Sequence, residues 1–130
     1  MEPPKNAEVF ENATSIYWFD EDGILCTISK KSPIQTLEQA QKTLEDFTKM
    51  LNGKKICLLI DVTNTAESKR EVRDYVAAEF PKFVKAIAMI SGSALGKMLA
   101  NLFFTIKTQP YPTKMFTDEK EAKKWLQQYL

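Results

Sequence analysis

A chain of 130 residues with 44% apolar and 27% charged residues has the size and composition of one folded domain, which excludes intrinsic disorder and makes a single unit over 1–130 the expectation. Its 18 Lys and Arg stand against 17 Asp and Glu, so no net field draws it to nucleic acid or an anionic membrane. The absence of histidine removes the Ser-His-Asp and Cys-His arrangements, His-ligated zinc and the usual general acid or base near neutral pH.

Residues 1–12 read as a polar N-terminal segment. Met1-Glu2-Pro3-Pro4-Lys5-Asn6 lacks the apolar stretch of a signal peptide, and no run of about 18 apolar residues follows anywhere, so a cytoplasmic protein without a transmembrane segment is expected. Cys26 and Cys57 each lie in an apolar run and read as small buried hydrophobes. Ser15-Ile16-Tyr17-Trp18-Phe19 and Ile24-Leu25-Cys26-Thr27-Ile28 form a hairpin around Asp20-Glu21-Asp22-Gly23, with Gly23 free to take positive φ.

Thr36 and Gln39 have capping-box spacing ahead of Leu37, Ala40, Leu44, Phe47 and Leu51, a helical stripe that Asn52-Gly53 closes. Ile56-Cys57-Leu58-Leu59-Ile60 is apolar on both faces, the pattern of a central parallel strand. Ser68 and Glu71 open a second helix bearing Val72, Tyr75, Val76 and Phe80, bounded by Pro81. Ala86-Ile87-Ala88-Met89-Ile90 reads as a strand, and Ser91-Gly92-Ser93 turns into a helix from about Ala94 to Ile106. A short strand at Lys114-Met115-Phe116 leads to a final helix capped by Thr117 or Asp118, with Ala122, Trp125, Leu126, Tyr129 and Leu130 as its apolar stripe. Alternation of this kind predicts an α/β fold: a hairpin followed by αβαβαβα, four helices on a mixed, mostly parallel five-stranded sheet. Right-handed crossovers in sequential order place the helices on one face, leaving residues such as Ile87 and Met89 on the other for something to cover.

Ligands of open parallel sheets bind at the carboxyl ends of strands, here Asp61 to Ser68 and Ser91 to Ser93. Asp61, Ser91 and Ser93 are the polar groups such a pocket would use, although Ser91-Gly92-Ser93 has neither the Walker nor the dinucleotide glycine pattern. Asp61 and Ser91 occupy strand ends as in a response-regulator receiver, but Asp20 to Asp22 lie in a hairpin loop and Lys114 comes at the start of the last strand, not after it. Asp61 therefore reads as a loop cap. In the helix after Ser93, Leu95, Met98, Leu99, Leu102, Phe103 and Ile106 point one way and Lys97, Asn101 and Phe104 the other, making the latter the most partner-like stripe. On its strand Trp18 faces opposite Tyr17 and Phe19 and gives a second candidate interface.

The run from Ala94-Leu95-Gly96-Lys97-Met98-Leu99-Ala100-Asn101-Leu102-Phe103-Phe104 through Pro110-Tyr111-Pro112-Thr113-Lys114-Met115-Phe116-Thr117-Asp118-Glu119-Lys120-Glu121-Ala122 to Trp125-Leu126 resembles the C-terminal half of small bacterial STAS-like proteins, relatives in fold of the anti-sigma-factor antagonists. The resemblance implies a binding or regulatory module rather than an enzyme, and a phosphorylatable Ser or Thr after a central strand. Thr63, Thr65 and Ser68 stand at the matching place, but the Asp-Ser-Ser-Gly-like sequence of that family is absent, and Ser68 also reads as a plain helix cap. The expectation is a non-enzymatic module without cofactor or metal, binding a protein partner or a second copy of itself. The competing expectation is a small-ligand protein or weak enzyme using the strand-end pocket.

Overall fold

The protein is described by a computed structural model over residues 1–31, 34–64, 69–95, 98 and 110–130. Six strands, β1 (Phe10–Glu11), β2 (Ser15–Phe19), β3 (Leu25–Ser29), β4 (Ile56–Asp61), β5 (Val84–Ile90) and β6 (Thr113–Phe116), form one sheet in sequential order. The first two pairings are antiparallel and the last three parallel. Between β3 and β4 runs α1 (Leu37–Leu51); α2 (Arg70–Glu79) and a single 3-10 turn at Phe80–Lys82 precede β5; α3 (Glu119–Gln127) follows β6.

The local signals act as expected where the chain is described. Thr36 and Gln39 close a reciprocal capping box, Asn52 ends α1 at φ 49°, and Gly53 and Gly23 adopt φ of 83° and 82°. Pro81 sits in the 3-10 turn that stops α2. Asp118 caps α3 by accepting from the Lys120 N–H at 3.1 Å. The Ser68 cap lies outside the described residues.

Among the described residues six strands replace the expected five because the N-terminal segment contributes one. Asn12 Oδ1 accepts the N–H groups of Thr14 at 2.9 Å and Ser15 at 2.8 Å, and this turn lays Phe10 and Glu11 against Tyr17 and Ile16. Phe10 then stacks on Tyr17 with ring centroids 5.4 Å apart. The segment's polar average hides one aromatic residue at pairing register. Among the described residues there are three α-helices; of the helix expected over about Ala94 to Ile106, only Ala94, Leu95 and Met98 are described, with helical backbone.

Strand alternation splits the core in two, and here the one-sided arrangement is corrected. Tyr17, Leu25, Leu58, Ile87 and Met89 point to the face covered by α1 and α2, where they meet Leu44, Phe47 and Leu51. Cys26, Cys57, Leu59, Ala86, Ala88 and Ile90 point to the other face, which α3 covers with Ala122 and Leu126. Ile87 and Met89 are therefore on the covered helical side. The second face is sealed because the chain, after its last strand, returns α3 beneath the sheet; small residues at Ala86 and Ala88 give the helix room to approach.

Candidate functional site

Parallel register sets Asp61 beside Ile90, so the loops leaving β4 and β5 emerge side by side. A backbone bond from the Val62 N–H to the Ile90 carbonyl at 2.8 Å extends the ladder past the strand end. Beyond it the polar side chains interlock. Asp61 Oδ1 accepts from the Thr63 N–H at 2.9 Å and from the Thr63 hydroxyl at 2.6 Å. Thr63 Oγ1 in turn accepts from the Gly92 N–H at 2.8 Å, and the Ser93 hydroxyl donates to the Thr63 carbonyl at 2.8 Å. Ser91 Oγ donates to the Ser93 carbonyl at 2.7 Å and accepts from its N–H at 3.1 Å.

The sequence-predicted residues Asp61, Thr63, Ser91 and Ser93 thus converge on one cluster. Its chemistry is cohesive. The hydroxyls of Thr63, Ser91 and Ser93 each give their hydrogen to a neighbour within the cluster, which makes a rigid polar bridge across two loops. Thr65, Ser68, Lys97, Asn101 and Phe104 lie outside the described residues. Trp18 is 1% exposed and sits in the cluster with Ala122 and Leu126, so it is a core residue and not an outer surface; the face it occupies is closed by α3.

A different pair of residues comes to the surface. Leu95 and Met98, expected on the core stripe, are 61% and 58% exposed, directly after Ser93. Helical periodicity identifies which residues share a face but cannot say which face the sheet covers.

At the hairpin end, Asp20 Oδ1 accepts from the N–H groups of Asp22 and Ile24, both at 2.9 Å, while Oδ2 lies 3.4 Å from Lys123 Nζ on α3. Gln127 Nε2 donates to Asp22 Oδ2 at 3.0 Å. The acidic loop is therefore a latch for the covering helix. Beneath it, burial first and the Asp20 charge second push the Cys26 thiol up to about 12, and burial raises Cys57 as well. Both cysteines are free and buried, a setting that slows thiol chemistry. Among the described residues, no group of three or more His, Cys, Asp or Glu is placed to hold a metal ion, and no helix is long and apolar enough to cross a membrane.

The fold has a solved counterpart. An uncharacterized protein of the DUF3478 family from Shewanella loihica PV-4, with a SpoIIAA-like fold, matches at a TM-score of 0.55 and 20% identity over 97% of this chain and 98% of that one. The protein has a mixed α/β fold of the SpoIIAA-like kind. A protein of unknown function from Arthrobacter sp. FB24 aligns over 92% of this chain and 96% of that one at 28% identity, with a TM-score of 0.33. Residues 17–130 match the model of the family described as Domain of unknown function (DUF7793), and the chain belongs to that family. None of the curated proteins matches it.

Proposed function

We propose that the protein is a non-enzymatic STAS-like regulatory module that binds another protein at the β4 and β5 strand ends. The observation that carries this reading is the exposure of Leu95 and Met98 at 61% and 58%, three residues apart on helical backbone and next to the polar bridge. Two large apolar side chains on one helical face beside an ordered polar frame supply the anchor and rim that protein interfaces use.

The bridge also suits a switch. A phosphate on Thr63 would displace its bonds to Asp61 and Gly92 and set a charge near −2 beside a carboxylate, loosening both loops at the binding surface. The competing small-ligand reading is weakened because Asp61, Ser91 and Ser93 already bond within the bridge.

The test is capture of a partner from the native host's cytosol, with sedimentation of the purified protein alongside. Leu95→Asp with Met98→Asp should abolish capture, or convert a dimer to monomer, with the circular dichroism unchanged. Undiminished association of the folded double variant would overturn the reading.

A further inference from the structure

Between α1 and α2, on the side of the molecule away from the strand-end bridge, lies a groove of about 320 Å³. It is unrelated to the surface assigned above. Leu44, Tyr75 and Phe83 make its apolar walls. Edge contacts fix Phe83: its ring centroid is 6.1 Å from that of Phe47 and 5.4 Å from that of Phe80, so the floor is preformed. The volume falls at the lower end of small-molecule sites, roughly 300 to 1,000 Å³, which are characteristically apolar with a few placed polar groups.

Its rim is charged unevenly. Three lysines, Lys49, Lys54 and Lys82, face Glu45 and Glu79. Glu79 is already engaged, its Oε2 2.8 Å from Lys82 Nζ. Lys49 and Lys54, at the end of α1 and in the turn after it, have no ion pair among the described residues. An anion there would also lie near the carboxyl end of α1, whose dipole opposes it, so the two ammonium groups must supply the attraction.

From the apolar walls and these two unengaged ammonium groups, we propose that the α1–α2 groove binds a small amphiphilic carboxylate, a ring-sized apolar body carrying one negative head. The body lies against Leu44, Tyr75 and Phe83, and the carboxylate meets Lys49 and Lys54. Lysine suits this task as a point charge on a mobile stem that can follow different head positions.

The experiment titrates the full chain, isotopically labelled, with 3-phenylpropanoate and separately with its uncharged amide, following the backbone amide resonances of Leu44, Tyr75 and Phe83 and the methyl resonances of Leu44. Saturable shifts at those residues are expected with the acid, with affinity at least about tenfold weaker for the amide and for Lys49→Gln/Lys54→Gln. Both lysines are exposed, so the variant retains its fold. Equal binding of acid and amide, or wild-type affinity in the double variant, would overturn the proposal. So would absence of saturation in the millimolar range, or shifts at the same resonances on dilution of the protein alone, which would place a second copy in the groove.

Discussion

Thr63 donates its hydroxyl hydrogen to Asp61 at 2.6 Å and takes one from the Gly92 N–H at 2.8 Å, so a single side chain joins the ends of two neighbouring strands. Thr63→Val keeps the shape and removes both hydroxyl bonds, leaving the Gly92 N–H without its partner and Asp61 Oδ1 with only the residue-63 N–H. The expected cost is about 1–3 kcal/mol in urea unfolding, with Thr63→Ser restoring most of it. A Thr63→Val midpoint equal to wild type would show that the bridge does not hold the loops.

The sealing of the second face makes α3 essential to the fold. Leu126 is fully buried against Cys57 and Ala88 in that cluster, and Leu126→Ala should cost about 2–5 kcal/mol. Thiol labelling gives an independent reading: Cys26 and Cys57 should resist a disulfide reagent in the wild type and react markedly faster in the variant, as local opening uncovers them. Equal labelling rates in the two proteins would contradict the cover.

Alkaline pH should find a weak point at Cys26. Its folded pKa, raised to about 12 by burial and the Asp20 charge, exceeds that of the unfolded thiol, near 9. Below the unfolded value the stabilisation is fully present. As pH climbs between the two values, the unfolded chain releases the proton while the native one keeps it, and stability falls by about 1.4 kcal/mol per pH unit for that one group. Cys26→Ala should flatten this limb in denaturation measured across pH; an identical slope would remove Cys26 as its source.

The hairpin latch separates into a cap and a charge. Asp20→Ala loses both backbone bonds and the Lys123 contact, whereas Asp20→Asn keeps an oxygen for the Asp22 and Ile24 N–H groups. The alanine variant should lose about 1–3 kcal/mol and the asparagine variant distinctly less, with faster hydrogen exchange in α3 for both. Equal losses would assign the whole effect to the charge.

Much of the architecture was legible because its signals are local. The Thr36–Gln39 box, the Asn52-Gly53 stop and the Asp118 cap depend on residues within a few positions of one another, and the two-sided apolarity of Ile56 to Ile60 marks a strand covered on both faces. What the sequence hid depends on distant neighbours. Nothing near Trp18 announces that α3, a hundred residues on, will close over it, and nothing near Leu95 shows that its side of the helix faces outward. β1 was missed because a two-residue strand has no period to detect; the signal available was Asn12 followed by Thr14 and Ser15, a turn that could pair its flanks. In the site, spacing brought Asp61, Thr63, Ser91 and Ser93 to neighbouring strand ends, but their mutual bonding, which turns a presumed pocket into a brace, depends on parallel register.

Because α3 follows in the chain every strand it shelters, a ribosome delivers the sheet before its lid. Until residues 119–127 emerge, Trp18, Leu59 and Ile90 stand open on a half-clad β surface, and the nascent chain must either delay its pairing or rely on a chaperone's grip.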